Sequence, residues 1–315
     1  MRKLLLFCLP VILMVLSSFE PIQILNYTNG QKHFEYTSSN GMLTGRFISY
    51  YENGNKMIEG NFNNNQKTGD WNVWNENGTL MAGRSYKNNY CYAEGDLLLN
   101  NTNPKEYNFL LPGVILQPFS ALNPKDILLE KQIWRTVDNK NMNMILFQEQ
   151  TIYKALVNAL NSGRLTAYTN DDLNVPMSGS QASALNESTV SALNLKEEFV
   201  FDAQRQIGEY RILAIAPVGE IGGKHQVICW FKYSDIREIL STVAVKNSAL
   251  PSFVQNAEQI FFYRYFGSLI YKESNIYNRQ LSDYCKPEEM NVESIRIELS
   301  LIENECRLWS RPGNK

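Results

Sequence analysis

The stretch GDWNVWNENG at residues 69–78 restates GRFISYYENG at residues 45–54, and six of the ten positions keep identity or aromatic character. The match runs on past the quoted segments: Met81 answers Met57, Tyr86 answers Phe62, and Asn88-Asn89 answers Asn64-Asn65. A period of 24 residues is the mark of a repeat array, in which each unit is too small to bury its own apolar face and must lean on a neighbour. Asn53-Gly54 and Asn77-Gly78 supply the positive-φ positions that a tight hairpin turn requires. Each unit is therefore expected to be a β-hairpin, residues 45–51 with 55–61 and residues 69–74 with 79–86. Phe47 and Trp71 open the units, and Tyr50 and Trp74 close their first strands. Asn29-Gly30, a further 24 residues upstream, hints at a decayed earlier unit. A lone hairpin is marginal in water, so these aromatics are expected to stack on one another or on a following domain.

The pattern G-x-W/F-x-x-W/Y-x-x-N-G resembles the MORN-like repeat in its antitoxin-type variant, over residues 28–99. That resemblance implies a stacked-hairpin platform for contacts and no chemistry. In front of it, MRKLLLFCLPVILMVLSS at residues 1–18 has the layout of a secretory signal: Arg2 and Lys3, an apolar run from Leu4 to Leu16, then Ser17 and Ser18. The run is shorter than the roughly 20 residues that a membrane span needs. Cys8 lies inside it, behind Phe7, where a lipid-attachment site wants a small residue. Cleavage removes Arg2 and Lys3 and takes the formal charge from -2 to -4, which argues against nucleic acid as the main partner. Cys91, Cys229, Cys285 and Cys306 would remain; outside the cytoplasm a disulfide is allowed, and Cys285 with Cys306 is the closest pair in sequence. Two histidines and no C-x-x-C speak against a structural zinc site, so no metal or cofactor is expected.

After the repeats, residues 100–124 carry Asn-Asn-Thr-Asn-Pro and three more prolines without periodicity and read as a linker. A second domain is expected over residues 125–315. In it, residues 151–162 place Ile152, Ala155, Leu156, Ala159 and Leu160 on one helical face, with Gly163 as cap. RLTAY at 164–168 reads as a strand, and the Ser/Asn/Ala-rich run 169–195 as a long loop. Strands are expected at 198–202, 209–217 and 226–233, the last two an antiparallel pair joined at Gly222-Gly223. Helices follow at 235–245 and 253–266. In the last one Val292, Ile295, Leu299, Ile302, Cys306 and Trp309 recur at spacings of three and four behind Pro287-Glu288-Glu289, a stripe that reads as an intramolecular packing seam. The fold class that results is α+β: stacked β-hairpin repeats, then a mixed domain with an antiparallel sheet and a long C-terminal helix.

Enzyme signatures fail one by one. VGEIGGKH, residues 218–225, has Val218 where a phosphate loop needs its first glycine, and His225 where it needs the magnesium-binding hydroxyl. There is no G-x-S-x-G and no H-E-x-x-H. His225 opens a strand with no nucleophile motif beside it. The adjacent carboxylates Asp171-Asp172 and Glu197-Glu198 are of a kind that is usually solvated. No catalytic residue is assigned, and the chain reads as a non-enzyme.

Three other stretches mix large aromatics with fixed charges: IWRTVDNKNMN with Trp134, Arg135 and Asp138; FDAQRQIGEYRILAIAPV with Arg205 and Glu209; and YKESNIYNRQL with Lys272, Glu273, Ser274, Asn275, Tyr277 and Arg279. Taken in this order they resemble the GldN/PorN family, a periplasmic component of the type IX secretion and gliding machinery. The third stretch, similar to the family's K-E-S-N-x-Y-x-R, is the most specific. The chain departs from the family at residues 139–143, where a more charged run is usual, and in its N-terminal repeats. The resemblance implies a non-enzymatic subunit of a ring, held in the periplasm at the inner face of the outer membrane. Its implied partners are a GldK/PorK-like lipoprotein and a GldM/PorM-like periplasmic protein. Tyr, Trp and Arg are the residue types that interfaces favour. Tyr277 and Arg279 are the expected contact residues; Arg135 and Asp138 could instead form a local pair. The contrasting expectation is a secreted binding module that recognises glycan or protein through exposed Tyr50, Trp71 and Trp74.

Overall fold

The computed structural model describes residues 20–87, 90–95, 116–179, 181, 185, 189–221, 224–246 and 250–309. The expected signal segment, Asn88-Asn89, Gly222-Gly223 and the first part of the expected linker, 100–115, lie outside the described residues, as does the Cys91 side chain.

Three copies of one turn organise the N-terminal half. Tyr27, Tyr51 and Asn75 donate their N–H groups to Gln31, Asn55 and Thr79 at 2.8, 2.8 and 2.9 Å. Gly30, Gly54 and Gly78 all sit at φ 84–85°, a region that strains any residue with a Cβ. The side-chain Oδ1 atoms of Asn29, Asn53 and Asn77 each accept the N–H two residues on, closing the turn. Asn29-Gly30 thus makes the same turn as the two later units, although the strand leading into it has 4 residues where theirs have 9. The strands between the turns, β1 (Gln23–Asn26), β2 (Lys32–Ser39), β3 (Met42–Tyr50), β4 (Lys56–Asn63), β5 (Gln66–Trp74), β6 (Leu80–Lys87) and β7 (Tyr90–Gly95), form one antiparallel meander in sequence order. The return turns at Asn40-Gly41 and Asn64-Asn65 also take two consecutive positive φ angles, which matches the twist of the strands they join. The hairpins therefore lie side by side in a single sheet, and their aromatics Phe34, Phe47, Phe62, Trp71 and Tyr86 line one buried face of it.

The second sheet is also antiparallel. It contains β8 (Ile127–Asp138), β9 (Val190–Asp202), β10 (Ile207–Ile221), β11 (Lys224–Val227), β12 (Phe231–Lys232) and β13 (Leu269–Glu273), in the order β11-β10-β9-β8-β13 with β12 on β10. The chain's β9 begins within the expected loop, because Val190 pairs with β10 and Ala192 to Lys196 with both β8 and β10, and the segment is largely buried, which erases any polar alternation. RLTAY is not a strand: only Tyr168 makes isolated bridges, to Pro176 and Trp230. Helices α1 (Met144–Phe147), α2 (Thr151–Asn161), α3 (Tyr233–Thr242) and α4 (Ala257–Phe262) share one core with Val137, Leu193, Leu195 and Ile215 of the sheet. Helix α4 is shorter than expected because the Asn256 side chain caps its start and Arg264, at φ 59°, ends the turn beyond it.

Helix α5 (Pro287–Trp309) joins the two halves. Leu299, Ile302, Cys306 and Trp309 pack on the aromatic face of the repeat sheet, while Ile297 and Leu301 pack on Ile133, Phe199 and Ile270 of the second sheet. The expected seam is therefore intramolecular, although Val292, at its upstream end, is 43 % exposed. Cys285 and Cys306 are both free: one precedes this helix and the other lies in its last turn, and about 1.5 Å of rise per residue keeps them far beyond disulfide reach.

Candidate partner interface

The charged residues singled out in the sequence separate into a buried set and an exposed set. Trp134 and Arg135 lie in the middle of β8, 6 % and 4 % exposed. The Trp134 indole donates to Asp171 Oδ2 at 2.7 Å, and the Lys196 and Lys272 ammonium groups stand 5.3 and 4.2 Å from its ring. Arg135 donates from Nε to Glu197 at 2.7 Å and pairs through Nη2 with Glu298 at 2.6 Å. Arg264 reaches the other oxygen of Glu197 at 2.6 Å, and both guanidinium groups lie over the Tyr210 ring. Burial by itself would push the Glu197 carboxyl up, yet Arg264 and Arg135 together hold it below its ordinary value. The same burial, with Glu298 second, raises the Tyr210 hydroxyl well above its ordinary range.

Arg135 and Asp138 do not pair. An odd separation along a strand puts side chains on opposite faces, and Asp138 instead has Lys140 at 3.7 Å. Arg205 closes the turn between β9 and β10 by bridging Asp202 and Glu209, and Glu209 also binds Arg211. Of the two carboxylate pairs read as solvated, Glu197 is fully buried while Glu198 is partly exposed, and Asp171 and the largely exposed Asp172 both approach Lys196. Among the described residues no group of three or more His, Cys, Asp and Glu is placed to hold a metal ion, and no helix is long and apolar enough to cross a membrane.

The exposed set is the segment after β13. Lys272 is half-buried over Trp134, Glu273 pairs with Lys131 at 2.5 Å, and Ser274 N–H bonds to Gln132 O at 2.8 Å. From there the chain leaves the sheet as a turn built on Asn275. Its Oδ1 accepts from the N–H groups of Tyr277 and Arg279 at 3.1 and 3.0 Å, and its Nδ2 donates to the carbonyls of Glu273 and Arg279 at 2.9 and 2.7 Å. The return is pinned by Leu281, buried with Ile133 and Phe199. Four bonds from one side chain hold this turn in a fixed shape. It presents Ile276 at 91 %, Tyr277 at 68 % and Tyr284 at 49 % exposure, with the Arg279 guanidinium 4.9 Å from the Tyr277 ring and 5.5 Å from that of Tyr284.

The hairpin aromatics offer no comparable surface. Phe47 and Trp71 are fully buried under α5, so Trp71 is not the exposed stacking residue expected of a binding module. Tyr50 and Trp74 face outward but are half-buried, with Lys32 and Lys56 5.2 and 5.1 Å above their rings. Sequence reasoning missed Glu197, Arg264, Glu298 and Tyr210, whose grouping has no local signal, because they come from separate elements.

No curated protein matches the chain. The family model described as gliding motility associated protein GldN matches residues 122–310, which takes in the whole second sheet, its helices, the Asn275 turn and α5. With more than half of its length matched, the chain belongs to the GldN family, which associates it with gliding motility and type IX secretion.

Proposed function

We propose that the protein is a non-catalytic structural subunit of a periplasmic ring in the type IX secretion and gliding machinery. In this reading it is exported by its N-terminal signal and sits at the inner face of the outer membrane. There it assembles with a GldK/PorK-like lipoprotein and contacts a GldM/PorM-like protein. The observation that carries the reading is the Asn275-built turn, a preformed surface of Ile276, Tyr277, Arg279 and Tyr284. It falls within the family match and in the stretch of closest resemblance. Exposed aromatic and Arg side chains on a rigid support are what interface hot spots are made of. By contrast, Trp134, Arg135, Arg205 and Glu209 are spent on internal bonds and hold the support in shape.

The test is an affinity pull-down of the tagged protein from gently solubilised envelopes of its own cell, with mass spectrometry and particle imaging. The reading expects the lipoprotein in large ring-shaped particles. Replacing Tyr277 and Arg279 together by Ala is expected to abolish co-purification while leaving the circular dichroism spectrum and melting curve unchanged. Normal recovery of the lipoprotein with the double variant would sink the assignment of this surface, and recovery of a lone monomer with the wild type would sink the ring itself.

A further inference from the structure

We infer that the Asn275 turn receives a carboxylate side chain, Asp or Glu, from its protein partner, in a socket formed by Arg279 between the Tyr277 and Tyr284 rings. The inference rests on the reading of this turn as the partner surface and adds the chemistry of what fills it. Many of the described arginines find their counter-ion internally: Arg135 and Arg264 on Glu197, Arg205 on Asp202 and Glu209, Arg237 on Glu258, Arg307 on Glu303. Arg279 does not. Among the described residues its guanidinium has two tyrosine rings and no carboxylate. The nearby acids are already engaged, Glu273 by Lys131, Glu293 by Arg296, and Asp283 by the Gln280 N–H.

Stacking on a ring uses the face of a guanidinium and leaves its N–H edge directed away from the ring, in the fork geometry that suits a carboxylate. The neighbouring lysines are committed: Lys272 stands over Trp134 and Lys131 on Glu273. The socket is thus a single positive charge framed by Ile276 and two tyrosines, which fits one acidic side chain set in an apolar patch. A phosphate-bearing membrane surface would call for several free cations. The four bonds from Asn275 fix the backbone on both sides of Tyr277 and at Arg279, so little ordering is left to be done on binding.

The test uses the purified full mature chain and the purified lipoprotein, with binding followed by biolayer interferometry at low and high salt, about 50 and 500 mM NaCl. Four forms are compared: wild type, Arg279→Met, Arg279→Lys and the Tyr277→Ala/Arg279→Ala double variant. Arg279→Met keeps the stem and removes the charge. It is expected to bind at least about tenfold more weakly than wild type and to lose the salt dependence that wild type shows. Arg279→Lys is expected to lie between the two, since it keeps the charge without the planar fork. Amidating the lipoprotein's carboxylates with a carbodiimide and excess methylamine is expected to weaken wild-type binding to the level of Arg279→Met, with no further effect on that variant. If the double variant fails to bind while Arg279→Met binds like wild type with an unchanged salt slope, the surface works through its apolar groups, and the carboxylate inference alone falls. If the double variant binds normally, the reading of the surface falls and takes the inference with it. Self-association of the wild-type chain that Arg279→Met abolishes would make a second copy the occupant and overturn the inference as well.

Discussion

Glu197 is fully buried and depends on two arginines, Arg135 at a sequence separation of 62 and Arg264 at 67. Replacing it by Gln leaves Arg264 without its carboxylate and Arg135 with Glu298 alone, and the expected loss is about 3 kcal/mol in urea unfolding at neutral pH. The pH dependence has a definite sign. The folded pKa of Glu197 is held below its ordinary value of 4.5, so its contribution is fully present above that value and is lost as pH falls through the folded one. The stability gap between wild type and Glu197→Gln should therefore be constant near neutrality and shrink below about pH 4.5; a gap that widens on acidification would contradict the assignment. None of this was legible locally. Glu197-Glu198 reads as an exposed acidic pair until the sheet turns one inward to the arginines and leaves the other half-exposed. Trp134 and Arg135 could be picked out by residue type, but their burial is set by the neighbours of β8.

At the scale of elements, the repeat turns were the most legible part of the chain, because an Asn-Gly pair carries its own reason for turning. Two glycines from this region make contrasting predictions. Gly54 has nothing within 4 Å of the place a Cβ would occupy, so Gly54→Ala should cost only the positive-φ strain, about 1 kcal/mol. At Gly60 the same Cβ would come within 2.2 Å of the Trp71 ring, which lies across the backbone there. Gly60→Ala should cost clearly more, roughly 2–3 kcal/mol, because the ring must leave its place in a close-packed face. Thermal melts of the two variants beside wild type check the order, and an equal loss would mean that Trp71 does not sit on Gly60. The helical period of α5 was equally plain. The strand expected at 164–168 and the loop expected up to residue 195 failed for a common reason: composition hints at burial or exposure, and only the pairing partner decides whether a segment becomes a strand.

Across the whole molecule, α5 is the shared element. The Lys67 ammonium pairs with Glu305 amid the rings of Trp71, Tyr86 and Trp309, and His33, stacked on Tyr27 and Phe34, bonds to Glu303 at 2.8 Å. These contacts, with the core of Phe47, Leu299 and Ile302, tie the repeat sheet to the family region closely enough that the two should unfold together. Calorimetry of a chain that keeps both the repeat sheet and the family region is expected to show one transition with equal calorimetric and van't Hoff enthalpies. A chain shortened to start at residue 116 would expose the Leu299, Ile302, Cys306 and Trp309 stripe and should aggregate or bind hydrophobic dye. Cys306 reports the same event, since burial pushes its thiol well up and shields it. It should resist thiol reagents in the native chain and react in the shortened one; equal protection in both would show that the repeats are dispensable to the fold. Sequence by itself determined the turns, the repeat period, the class of fold and the family, because these rest on residue type at short spacing. Tertiary structure alone decided which aromatics are hidden, which charges are paired and that α5 lies between two sheets. Those depend on groups tens to hundreds of residues apart meeting in one place, and no spacing along the chain encodes that meeting.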